Sequence, residues 1–179
     1  MARSRPLAAV LIELRPSKIL PDEIGLFAAR ALKKDTIIAH AKRLGERFMP
    51  WSAYADVDPL TRRKIRHFCL QTPEGFYLPE DFNYLMVPWN MNHSCDYNVG
   101  FDAAGNFVTA KNVRAGDELT WDYGMGISYP KYRLHCRCGS RRCRKLVTGN
   151  DWKDPAYRAK NRAYFLRELL RAADTSSRV

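Results

Sequence analysis

Asn92-His93-Ser94-Cys95, with Asn98 three residues later, and Gly116-Asp117-Glu118-Leu119-Thr120-Trp121-Asp122-Tyr123-Gly124 are the stretches on which the reading of this chain turns. A third, Cys136-Arg137-Cys138-Gly139-Ser140-Arg141-Arg142-Cys143, follows closely and places three thiols in one short loop. A structural zinc site takes four ligands in a tetrahedron. A fourth donor must come from elsewhere, and Cys95, Cys69 and His135 are the candidates. His135 adjoins Cys136, which makes it awkward for both side chains to reach one metal. The cysteines number five, an odd count, and Met1-Ala2-Arg3-Ser4-Arg5-Pro6 lacks the apolar stretch of a secretory leader. A reducing compartment is therefore expected, where clustered thiols favour metal over disulfides.

Around these stretches the chain reads as short strands broken by turns. Residues 8–14, Leu26-Phe27-Ala28-Ala29, Thr36–Ala39, Gly75–Leu78, Val99–Phe101, Asn106–Ala110 and Glu118–Trp121 are apolar, β-branched or aromatic runs. Ala104-Gly105-Asn106 and Ala115-Gly116-Asp117 supply turn chemistry between them. Asp58-Pro59 reads as an N-cap and a first-turn proline opening a helix to about Leu70. Asp154-Pro155 opens a second, with Ala159, Ala163, Leu166, Leu170 and Ala173 at helical spacing and Arg158, Lys160, Arg162, Arg167 and Arg171 on the remaining surface. Many short strands with few helices predict a mainly β fold and exclude a doubly wound one.

Of 179 residues, 46% are hydrophobic, which suits one compact domain and excludes a disordered chain. No apolar run is long enough to span a bilayer, so no membrane partner is expected. The net charge of +11 is unevenly placed. Residues 1–130 hold 16 Lys+Arg against 15 Asp+Glu, and residues 131–179 hold 14 against 4. A basic segment of that kind can attract nucleic acid or be a solvated face.

In order and approximate separation, the three quoted stretches resemble the SET-domain family of protein-lysine methyltransferases with its post-SET zinc motif, over roughly residues 7–147. The resemblance implies a fold of small, mostly antiparallel sheets with a pseudoknot, a post-SET zinc loop and a C-terminal helix. It divides the chain into a SET domain (7–126), a zinc loop (127–150) and a basic helix and tail (151–179). It implies S-adenosyl-L-methionine as methyl donor and one structural zinc on Cys95, Cys136, Cys138 and Cys143. Tyr123 takes the catalytic position, orienting the substrate amine. Phe101 and Trp121 match walls of the lysine channel. Gly25, Leu26, Phe27, Asn92 and His93 match cofactor contacts. Cys69 is left over as a buried thiol of the helix.

The chain departs from the family pattern in places. Glu23 stands where a glycine is usual, Trp89-Asn90 replace Arg-Phe, and a usual Glu-Tyr-x-Gly-Glu stretch is reduced to Gly45-Glu46. Trp121 has no phenolic hydroxyl to hold a channel water, which permits more than one methylation, while its bulk argues the other way. The expected partner is a basic protein or peptide, histone or histone-like. Glu74, Glu80, Asp81, Asp96 and Asp102 are expected to form an acidic groove for it. An intracellular location follows: cytoplasm in a bacterium, nucleus in a eukaryote. The competing reading is a noncatalytic zinc-containing module that binds nucleic acid or chromatin through the basic tail.

Overall fold

The computed structural model describes residues 9–40, 47–84 and 87–176. The segment before Ala9, including the first residue of the expected strand 8–14, and the Gly45-Glu46 pair lie outside the described residues. Among these, the strands in chain order are β1 (Ile12–Pro16), β2 (Ile24–Ala28), β3 (Ile37–Ala39), β4 (Arg47–Pro50), β5 (Leu70–Gln71) and β6 (Gly75–Leu78). They continue with β7 (Asn92–His93), β8 (Val99–Phe101), β9 (Phe107–Thr109), β10 (Glu118–Trp121), β11 (Arg133–His135) and β12 (Leu146–Thr148).

These strands form three sheets, as the alternation of short apolar runs and turns predicts. The largest has the order β1-β2-β10-β8-β9-β3, with β7 also paired to β10. The second is β4-β6-β5 and the third is β11-β12. All pairings are antiparallel except two: β10 runs parallel to β7 (Thr120 opposite Asn92, Trp121 opposite His93) and to β8 (Trp121 opposite Val99). Both flanks of the Ser94–Asn98 turn therefore pair with the end of one strand 20 or more residues downstream, the crossing expected of the SET fold. Gly116 makes the turn into β10 possible, with φ at +79°, where a side chain would be strained.

The helix Pro59–Phe68 begins as its sequence dictates: the Asp58 carboxylate accepts from the Leu60 and Thr61 amides at 3.0 Å each. It packs Ile65 against Phe76 in a small aromatic-rich core with Trp51 and Tyr54. Cys69 belongs to the same small core but not to the helix, which ends there with extended backbone.

The tail is not one helix. It forms Pro155–Asn161, a single 3-10 turn at Arg162–Tyr164, and Arg167–Ser176. Phe165 is extended (φ −84°, ψ 143°), and the Leu166 amide donates to the carbonyl of Met125 instead of continuing a helix. This break shifts the inward face. Phe165, Leu166, Leu169 and Ala173 join Trp152 in the main core beside Leu119, Val99 and Met125, whereas Ala159 and Ala163 stay exposed. The tail is thus built into the same hydrophobic core as the central sheet. Gly100 shows how tightly: a Cβ there would lie 2.4 Å from that of Tyr164.

Candidate active site and metal centre

The parallel contact of β7 and β8 with β10 brings the two signature stretches together. Asn98 fastens them. Its side chain donates to the Glu118 carbonyl at 2.8 Å and accepts from the Thr120 amide at 2.9 Å. Asn92 fastens a third segment: its amide donates to the Ile24 carbonyl at 3.2 Å and to Glu118 Oε1 at 3.1 Å. Glu118 also accepts from Ser17 Oγ and the Lys18 amide, both at 2.8 Å. A Cβ on Gly25 would lie 2.4 Å from Glu118 Oε1, so glycine is needed for this network. Leu26 and Phe27 are almost fully buried, their backbone paired between β1 and β10.

Tyr123 stands at the centre. Its hydroxyl donates to the Met91 carbonyl at 3.0 Å, and its backbone amide donates to His93 Nδ1 at 3.2 Å. Burial raises the phenol well above the usual tyrosine range, so it stays protonated. Burial also lowers His93, to about 4, and keeps it neutral. With Nδ1 accepting, the imidazole proton lies on Nε2, which sits 3.4 Å from Cys95 Sγ. His93 thus links the tyrosine to the cysteine cluster.

Beside Tyr123 lies a cavity of about 40 Å³ whose lining includes Phe68, Cys69, Trp89, Phe107, Trp121 and Tyr123. The Trp121 and Tyr123 rings are 4.8 Å apart. Phe101 does not reach the cavity; it packs edge-on behind Trp121 at 5.4 Å. Phe107, which the motifs did not single out, lines it instead, tilted against Phe101 at 4.6 Å and edge-on to Trp121 at 5.5 Å. Cys69 also lines it, a thiol pushed up to about 12 by burial and so unreactive. No carboxylate lines this cavity. Of the five acids expected to form one groove, Asp96 and Asp102 line two separate cavities, both against the tail.

The four expected zinc ligands meet. The Sγ atoms of Cys95, Cys136, Cys138 and Cys143 all lie within 4.8 Å of one another, and those of Cys95 and Cys136 are 3.9 Å apart. Tetrahedral zinc with Zn–S bonds of ~2.3 Å needs sulfurs about 3.8 Å apart. The surroundings also suit thiolates. Backbone amides of Cys138, Lys145 and Arg144 point at Cys136, Cys143 and Cys95 Sγ, each at 3.4 Å. Cys69 and His135 are not in the cluster.

Arg144 closes the site. Its guanidinium grips Asp122, the residue before Tyr123, and reaches Asp151 at 3.3 Å while lying 4.8 Å over the Tyr157 ring. Asp122 in turn caps the Gly124 amide at 3.1 Å.

The family model for the SET domain matches residues 23–124, more than half of the chain. The chain belongs to the SET-domain family. Among curated relatives, the histone-lysine N-methyltransferase SETDB2 of Homo sapiens is 34% identical over 70 residues, covering 32% of this chain and 10% of the relative. Histone-lysine N-methyltransferase met-2 of Caenorhabditis elegans is 40% identical over 65 residues, 30% of this chain and 5% of the relative. The probable inactive histone-lysine N-methyltransferase SUVR2 of Arabidopsis thaliana is 44% identical over 41 residues, 21% of this chain and 6% of the relative. The chain thus spans a tenth or less of the length of each. The SET assignment accounts for the Asn-His-Ser-Cys and Asp-Tyr-Gly stretches, and Cys95 within the matched residues meets Cys136, Cys138 and Cys143 just beyond them in a cluster that can hold the metal of a post-SET loop.

Proposed function

We propose that this SET protein is a zinc-containing, S-adenosyl-L-methionine-dependent protein-lysine N-methyltransferase acting on a basic protein. The observation that carries the reading is Tyr123. Its hydroxyl, oriented by the Met91 carbonyl, edges an aromatic cavity with no carboxylate in its wall. When bound, the sulfonium cofactor supplies an electrophilic methyl group.

The protein's own residues would do the rest. A lysine amine attacks only when neutral, and in water at pH 7 only about one in two thousand is. Moving it from water into a wall of Trp121, Phe107 and Trp89 disfavours the charged form. The Tyr123 hydroxyl, already donating to Met91, has lone pairs left to accept from the amine and aim its nitrogen. Held protonated by burial, it orients without acting as a base, and the amine's proton leaves to water. Cofactor contacts would come from backbone near Gly25 and from the Asn92–His93 strand, whose side chains are already engaged in holding the fold. Cys95, Cys136, Cys138 and Cys143 would hold one zinc, which fixes the loop that carries Arg144.

Incubating the purified protein with methyl-labelled cofactor and basic proteins tests this. Label on lysine is expected. No transfer, together with no cofactor binding by calorimetry, would leave the noncatalytic module as the better account.

A further inference from the structure

The tail's positive charge is only partly used by the fold. Arg144 holds Asp122, and Arg158 donates to the carbonyls of Trp152 and Lys153 at 3.1 and 2.6 Å. Of the other tail cations, Arg142, Lys160, Arg162, Arg167 and Arg171 border two open cavities beside the Lys160–Tyr164 segment. One, of about 290 Å³, is lined by Lys111, Arg142, Arg144, Lys160, Tyr97 and Tyr164 among others. The second, of about 390 Å³, is lined by Arg162, Arg167 and Arg171 with Asp102 and Asp174.

Of the carboxylates in these walls, Asp102 and Asp96 are hydrogen-bonded or paired, and Asp174 is held only loosely. Asp102 accepts from the Ala104 amide and from both the backbone and the side chain of Asn106. Asp96 pairs with Lys111 at 3.2 Å. Asp174 meets Arg162 only at 3.9 Å, with both side chains more than half exposed, a contact worth little in water. Arg142, Lys160, Arg167 and Arg171 are exposed and have no carboxylate partner among the described residues. Neither cavity shares a lining residue with the Trp121–Tyr123 cavity.

We propose that these two cavities form one nucleic-acid-binding strip, with Arg142 and Lys160 at one end and Arg162, Arg167 and Arg171 at the other holding the phosphate backbone. The second part of the argument rests on the methyltransferase reading. A chain of formal charge +11 repels a basic substrate, and a polyanion that both bind removes the repulsion. The rings of Tyr97 and Tyr164 pack edge-on against each other at 6.4 Å and Lys34 lies over Tyr164, so they are not assigned to base stacking. Recognition is therefore of phosphate, without sequence preference.

Fluorescence anisotropy of the full chain with a labelled duplex of arbitrary sequence tests it. Five phosphate contacts predict a log–log salt slope of about −4.5, or roughly a 500-fold loss of affinity between about 50 and 200 mM salt. The triple variant Arg162→Ala, Arg167→Ala, Arg171→Ala should flatten the slope by about 2.7 and weaken all duplexes alike. Arg142→Ala with Lys160→Ala should flatten it by about 1.8 from the other end. Methylation of a short basic peptide, which needs no bridging polyanion, should not fall in either variant. A slope flatter than about −2, unaltered binding by both variants, or tighter binding to polyglutamate than to the duplex overturns the strip, even with peptide methylation intact. Absent peptide methylation with salt-sensitive duplex binding overturns the enzyme reading and leaves the strip standing.

Discussion

Arg144 of the cysteine loop grips Asp122, the neighbour of Tyr123, through two N–H···O contacts of 2.5 and 2.7 Å. The same residue's backbone amide points at Cys95 Sγ. One residue therefore ties the metal cluster to the strand end that carries the tyrosine. Asp122 is 2% exposed and Arg144 27%, so truncating the arginine strands a buried carboxylate. Arg144→Ala should cost about 3 kcal/mol, near 6–12 °C in Tm for a chain of this length. Arg144→Lys should recover little of it, because an ammonium cannot make the fork. Thermal unfolding of the two variants checks both points; a fully stable Arg144→Ala would remove the pair from the account.

The cysteine cluster makes a separate prediction. Metal analysis should give one zinc per chain, and Cys143→Ser should lose it. Under native conditions a chelator should make Cys95, Cys136, Cys138 and Cys143 available to an alkylating reagent. Cys69 should remain the slowest of the five, since burial pushes its thiol up to about 12. Peptide mass spectrometry reads each site. Rapid alkylation of Cys69 before the other four would contradict the burial and the ligand set together.

A pH profile examines the role of the tyrosine. Burial raises the Tyr123 phenol, so its neutral form persists above the pH at which a free tyrosine ionises. The rate at low substrate should climb with pH as more of the lysine is neutral, with no descending limb near pH ~10 from Tyr123. A descending limb there would mean the phenol ionises in the working range.

The tail's place in the core is tested by stability alone. Leu169 is fully buried among residues of the central sheet, and Leu169→Ala should cost about 2–5 kcal/mol. Gly100→Ala should destabilise as well, because the new methyl meets Tyr164 Cβ at 2.4 Å. Denaturant unfolding measures both. Wild-type stability in Leu169→Ala would mean that the tail folds as a separate appendage.

The four-cysteine cluster was legible in the sequence because a short spacing confines three thiols to one place, and the resemblance supplied the fourth. The start of the Pro59–Phe68 helix was legible because Asp58 and Pro59 act within one turn. What stayed hidden depends on partners far along the chain. The tail's periodicity extended through Phe165, yet Leu166 takes its partner from Met125, some 40 residues away, and the helix breaks there. Phe101 and Phe107 look alike as strand residues, and only the stacking of β8, β9 and β10 decides which meets the cavity. The acids expected to form a groove are spread over residues 74–102, and Asp96 and Asp102 line separate cavities beside the tail.

The central claim is that Tyr123 serves a lysine methyl transfer. The most direct measurement is mass spectrometry of basic proteins incubated with labelled cofactor and either wild type or Tyr123→Phe, with Tm recorded for both. The account predicts labelled lysine with wild type and its near-complete loss in the variant. The Tm should fall only by the ~1 kcal/mol of the bond to Met91. Equal labelling by the two proteins, or none by wild type that binds the cofactor, would contradict it.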